Sequence, residues 1–198
     1  MARPNTARIT TRTLVSIAML TAISSVLMFM NFPIPIFPSF LKFDFSDLPA
    51  IIGAFAFGPF AGIVIELLKN TVHLMQTETG GIGELANFLM GTALVLPAGL
   101  IYRVKKTQKG ALLGMLAGII STSIVAALAN YFILIPFYES FMPISAIVAA
   151  CAKIIPAVDS LGKVIVYSII PYNLFKGFVV CLITYLTYKR LSGLLHRS

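Results

Sequence analysis

Residues 45–77 read FSDLPAIIGAFAFGPFAGIVIELLKNTVHLMQT, and whether this stretch forms one helix or two decides the fold. It is apolar enough for a single long span. Yet Gly58-Pro59, within GPFAG (58–62), is a strong punctuation mark that can hinge two shorter helices. The rest of the chain has to choose between these alternatives.

Composition supplies the solvent. Apolar residues make up 58% of the 198 residues and charged residues only 11%, with mean hydropathy +0.93. Globular domains carry about 25% charged residues. A chain this apolar cannot cover itself with polar groups, so an integral membrane protein is expected. The formal net charge is +8, but its placement argues against nucleic acid. Arg3, Arg8 and Arg12 precede the first apolar run, Arg103, Lys105, Lys106 and Lys109 share one short gap, and Lys189, Arg190 and Arg197 follow the last run. Basic groups flanking apolar spans are what the positive-inside bias produces. The first run follows a basic segment but shows no evident small-residue cleavage site, so it reads as a retained helix. Cys151 and Cys181 are too few for a disulfide framework and read as small buried hydrophobes.

A span needs about 20 apolar residues. Residues 13–31, 84–101, 110–135 and 171–188 qualify. With the N-terminus in the cytoplasm, a single span at 45–77 would put the basic 102–109 gap outside. The C-terminus would then need an extra crossing within 139–170. Two spans, 46–57 and 60–77, leave all three basic clusters inside. The preferred expectation is therefore an all-α integral membrane protein, one membrane domain over 1–198. It has six transmembrane helices, a structured external loop at 32–45, a second external loop at 136–170, and both termini cytoplasmic. The one-span alternative with a fifth crossing or re-entrant hairpin in 139–170 stays open.

In the six-span arrangement polar residues converge on the external level. Glu84 opens span four after TGGIGE (79–84), Asn130 lies near the outer end of span five, and Asn173 and Lys176 begin span six. Asp44 and Asp47 lie near Phe37, Phe40, Leu41 and Phe43 in the opening segment, and Tyr131 and Tyr138 are close to Asn130 in sequence. Aromatic and leucine side chains can sandwich a flat ring, while asparagine offers donor and acceptor and a carboxylate accepts. Plainer uses are open too: Glu84 as a helix start, Asn130 as a helix-backbone partner, Lys176 as a snorkelling cation, and Asp44 and Asp47 as caps of the short second helix. Glu66, Lys69, Asn70 and His73 share one helical face, which structural pairing between helices accounts for most simply. Ala18 and Ala22 form a small-residue pair that suits either a docking partner or internal packing, and Gly110, Gly114 and Gly118 repeat the theme. No phosphate-binding loop, HExxH or Cys/His cluster is present, so neither a catalytic motif nor a metal site is expected.

Five segments in order, NFPIPIFPSFLKFDFSDLPA (31–50), GAFAFGPFAGIVIELLKN (53–70), GGIGELANFLMG (80–91), AALANYF (126–132) and PYNLFKG (171–177), resemble the substrate-capture (S) subunit of energy-coupling-factor vitamin transporters, in its riboflavin-specific branch. The resemblance runs over nearly the whole chain. It implies a six-helix bacterial cell-membrane subunit that binds riboflavin at its external face. Such a subunit associates with a transmembrane coupling (T) subunit and two cytoplasmic ATPases, and ATP hydrolysis there reorients it to carry the vitamin inward. Riboflavin is then transported substrate, and no catalytic cofactor is implied. Carried over by motif, Glu84, Asn130, Asn173 and Lys176 meet the vitamin; as part of the external loop, Phe40 and Leu41 can line the pocket beside it. Phe37, Phe43, Asp44, Asp47 and Tyr131 form a gate or pocket wall, and Ala18 and Ala22 dock the coupling subunit. The competing expectation is an independent ion-coupled transporter of a small aromatic nutrient, with Glu66 and Lys69 as its only obvious coupling groups. A third is a membrane scaffold or receptor without transport.

Overall fold

The computed structural model describes residues 10–140 and 143–195, with side chains through residue 187. Arg3, Arg8, His196 and Arg197 lie outside the described residues, as do the side chains of Lys189 and Arg190.

The stretch at 45–77 folds as two helices, α2 (Asp47–Phe57) and α3 (Pro59–His73). Gly58 between them has φ 96°, a conformation that side chains strain to adopt and glycine does not. Pro59 then opens α3 at its first position, where the missing N–H costs nothing. At about 1.5 Å per residue, α2 is about 16 Å long, half of a hydrocarbon core. It survives by being surrounded: Ala50, Ile51 and Ala54 are fully buried against Ile65 of α3 and against Leu94, Val95 and Ala98.

The flanking helices are longer. They are α1 (Thr11–Phe29), capped by Thr10 Oγ1 accepting from Thr13 N at 3.2 Å, then α4 (Ile82–Val104) and α5 (Gln108–Ala129). A connection follows α1 in which β1 (Phe32–Pro33) pairs antiparallel with β2 (Lys42–Phe43). The chain closes with α6 (Ile135–Glu139), α7 (Ile144–Ala152), α8 (Leu161–Val164) and α9 (Ile170–Leu195). Among the described residues four helical stretches are long and apolar enough to cross a membrane: Thr11–Phe29, Ile82–Val104, Gln108–Glu139 and Leu161–Thr187.

The last two stretches extend beyond the expected 110–135 and 171–188. The helix begun at α5 runs on to Glu139, and the final helix starts at Leu161, inside the segment expected as a loop. Prolines at 136 and 171 suggest ends there. Each is instead preceded by a five-residue π turn, at Asn130–Leu134 and Ile165–Ile169. A proline ring meets the carbonyl four residues back, here Phe132 and Tyr167, the middle residue of each widened turn. The extra residue relieves the clash and the helix continues. The nine residues of α7 are too few to cross a bilayer, so the extra crossing weighed for 139–170 has no helix to make it among the described residues. That segment packs as a cap through Cys151, Val158, Val164 and Ile169. Burial pushes the Cys151 thiol up, which suits an inert core residue.

Gly114 and Gly118 turn inward, not toward a partner. A Cβ on Gly114 would stand 2.7 Å from the Ala98 carbonyl oxygen, and one on Gly118 2.5 Å from that of Leu94. These glycines let α4 and α5 touch backbone to backbone. Ala18 and Ala22, in contrast, are exposed on the outer face of α1 with Val15, Met19 and Ile23.

Candidate functional site

The connection between α1 and α2 is held at several points. Phe43, 1% exposed, packs against Phe32, Phe45 and Phe175. Phe37 lies edge-on to Tyr172 at 5.3 Å between ring centres. Tyr172 Oη donates to the Lys42 carbonyl at 2.6 Å, and Lys42 Nζ reaches both Glu78 oxygens at 2.8 and 2.7 Å. The prolines and this aromatic packing make an ordered flap.

Beneath the flap lies a cavity of about 410 Å³. The flap contributes Asn31, Phe40, Leu41, Lys42 and Asp44, and the end of α1 contributes Met28 and Phe29. The end of α3 and the turn after it give His73, Gln76, Glu78 and Thr79. Helix α4 gives Glu84, Asn87 and Met90; the π turn after α5 gives Asn130 and Leu134; Tyr138 and Asn173 complete the wall.

Glu84 is braced by the turn before it. It meets His73 Nδ1 at 2.9 Å and accepts from Thr77 Oγ1 at 2.9 Å and Thr79 Oγ1 at 3.3 Å. Thr77 Oγ1 in turn accepts from Thr79 N at 3.2 Å and Gly81 N at 3.0 Å. The two asparagines donate to their own helices: Asn130 Nδ2 to Ala126 O at 2.8 Å and Asn173 Nδ2 to Ile169 O at 2.9 Å. Each is thereby fixed in rotamer, with one amide proton and the carbonyl oxygen left for other partners.

Lys176 does not line this cavity. It sits below, paired with Asp44 at 2.9 Å and Asp47 at 3.2 Å. Asp47 also pairs with Lys69, which bonds Ser46 Oγ at 2.9 Å and stands 2.8 Å from Glu66 Oε2. Two ammonium groups and three carboxylates thus form one buried network joining the flap, α2, α3 and α9. Glu66 and Lys69 are 0% exposed and lie outside the cavity wall. Ser24 Oγ ties α1 to the same network by donating to the Ser46 carbonyl at 2.5 Å.

Of the residues expected at a site, the structure brings together Glu84, Asn130, Asn173, Phe40, Leu41 and Asp44 around the cavity. Phe37 and Phe43 hold the flap from behind, Asp47 belongs to the network, and Tyr131 is 48% exposed against Phe132, away from the wall. Sequence reasoning missed His73, Thr77, Thr79 and Asn87 as wall and bracing residues. The short turn joining α3 to Glu84 was the signal for the first three. Among the described residues no group of three or more His, Cys, Asp or Glu could hold a metal ion.

Comparison with known proteins places these features in a family. The sequence profile described as ECF transporter, substrate-specific component matches residues 12–188. The chain is 37% identical over 184 residues to the riboflavin transporter RibU of Staphylococcus aureus (strain TCH60), covering 93% of this chain and 92% of that one. It is 34% identical over 182 residues to the riboflavin transporter FmnP of Bacillus subtilis (strain 168), covering 90% and 91%. A solved structure, reported as the S component of a bacterial ECF transporter, superposes with a TM-score of 0.74 at 36% identity, covering 93% of this chain and 97% of that one.

Proposed function

The chain belongs to the substrate-specific component family of ECF transporters, and from that premise we propose that it captures riboflavin and delivers it across the membrane as the S subunit of an ATP-driven transporter. The observation that carries the substrate reading is the cavity under the flap. Its volume, about 410 Å³, falls within the range of about 300–1,000 Å³ usual for small-molecule sites. Its walls pair apolar faces with a few fixed polar groups.

In this reading Phe40 and Leu41 cover the flavin ring, while Asn130 and Asn173 meet its polar edge or the ribityl hydroxyls. Glu84 accepts from a ring N–H or a hydroxyl. Lys176 acts through Asp44, whose carboxylate it holds at the cavity wall. The chain crosses the bilayer six times, with α2 and α3 as the second and third crossings and both termini cytoplasmic. The flap is then external, and the Arg103–Lys109 turn cytoplasmic in keeping with the positive-inside bias. A transmembrane coupling subunit docks on the Ala18/Ala22 face of α1, and two ATPases on that assembly hydrolyse ATP.

Equilibrium titration of the purified protein with riboflavin, read by quenching of flavin fluorescence, tests the assignment. Asn130→Ala and Asn173→Ala should each weaken binding about tenfold, the worth of one to two hydrogen bonds. Unchanged affinity in the double variant would remove these residues from the site. Riboflavin uptake by this chain alone in sealed vesicles would instead favour an ion-coupled transporter.

A further inference from the structure

All seven acidic residues of the chain gather at one end of the bundle. Asp44, Asp47, Glu66, Glu78 and Glu84 surround the cavity or form the network under it, and Glu139 and Asp159 belong to the cap segment beside it. From Leu85 to Tyr138 the sequence contains no Asp or Glu. At about 1.5 Å per residue, α4 carries the chain about 29 Å from Glu84 to Arg103. There Arg103, Lys105, Lys106 and Lys109 are all exposed, and none of them takes part in an ion pair among the described residues.

This cationic turn is rigid. Thr107 Oγ1 accepts from Gly110 N at 3.1 Å, Thr107 N donates to the Lys105 carbonyl at 2.8 Å, and Gly110 is buried against that same carbonyl. Directly beside it the ends of α4 and α5 leave an apolar crevice of about 370 Å³ lined by Leu100, Ile101, Val104, Leu113 and Lys105. Val104 is 84% exposed at its rim. A soluble anion would use the cations and ignore the crevice, while a neutral lipid would use the crevice and ignore the cations.

We propose that the α4–α5 turn is a binding site for an anionic phospholipid, its phosphate held by Lys105 and Lys106 and an acyl chain lying in the crevice of Leu100, Val104 and Leu113. Juxtamembrane lysines attract anionic headgroups by their charge. Two of them on an ordered turn give at least a tenfold preference over a zwitterionic lipid of the same tails.

The test is native mass spectrometry of the full chain, released from detergent in the presence of phosphatidylglycerol or phosphatidylcholine with matched chains. The wild type should retain phosphatidylglycerol at least tenfold more than phosphatidylcholine. Lys105→Gln/Lys106→Gln should abolish that preference, and Leu113→Trp, which fills the crevice and keeps the charges, should lower lipid retention severalfold. Lys153→Gln/Lys163→Gln, the same charge change at the cap, should leave it intact. Riboflavin affinity reports that each variant is folded. Equal retention of both lipids, equal loss in the cap variant, or displacement of lipid by millimolar glycerol phosphate would each overturn the site. So would a Leu113→Trp protein that holds phosphatidylglycerol as the wild type does.

Discussion

Lys176 and Asp44, 132 positions apart in sequence, meet at 2.9 Å beneath the cavity. This buried pair pins the flap to α9 at the floor of the cavity. Replacing Lys176 by Met leaves the buried Asp44 carboxylate without its cation, a change that costs about 3–5 kcal/mol, while Asp47 keeps its pairing with Lys69. The purified variant should melt well below the wild type and bind riboflavin at least tenfold more weakly. Asp44→Asn, which leaves Lys176 its contact with Asp47, should lose affinity with a smaller fall in Tm. A Lys176→Met protein with wild-type Tm would show that the pair carries no structural weight.

Thr77 carries the most connected hydroxyl of the Glu84 brace. Its hydroxyl donates to Glu84 and accepts two backbone N–H groups. Thr77→Val keeps the shape and removes all three bonds, at about 1–3 kcal/mol. Faster amide exchange across residues 77–81 and weaker riboflavin binding are the expected readouts of hydrogen-exchange mass spectrometry and titration. Unaltered exchange would mean that the turn is held by other contacts.

Gly114 separates stability from capture. A Cβ there would meet the Ala98 carbonyl oxygen at 2.7 Å, backbone against backbone, with no flexible side chain to yield. Gly114→Ala should cost about 1–3 kcal/mol as α4 and α5 move apart. The protein that remains folded should bind riboflavin normally, since the contact lies away from the cavity. Thermal melts with and without riboflavin measure both effects, and an unshifted Tm would contradict the close packing.

Ala18 probes docking alone. Because its side chain faces outward, Ala18→Leu has nothing to displace within the chain. Riboflavin affinity should stay within a factor of two, while uptake by the complete transporter should fall at least tenfold as the helix faces are held apart. A parallel loss of affinity would place Ala18 in the capture machinery instead.

The fold is legible in the sequence where the signal is local. Gly58-Pro59 reads as a hinge because one residue must take a positive φ and the next cannot continue a helix. Glu84, Asn130 and Asn173 read as neighbours because each stands at the same level of a span. The pairing of Lys176 with Asp44 and Asp47 is hidden, since facing residues on distant helices leave no mark on local sequence. Tyr131 and Phe43 mislead for a related reason. Aromatic residues near a site can equally face lipid or hold a loop from behind, and a rotation of one residue decides which. The helices run past Pro136 and Pro171, against expectation, because a π turn has no composition of its own.

Those two turns have a mechanical meaning. Asn130 opens the first and Asn173 follows the second by four residues, so each pocket asparagine stands where a long helix meets a joint. A π turn stores one residue of slack. Exchanging it for a regular turn would rotate the residues beyond it by about 100° and advance them about 1.5 Å. The first turn is therefore a dial for the wall residues beyond it, Leu134 and Tyr138, while Asn130 and Asn173 stay with the long helices that carry them.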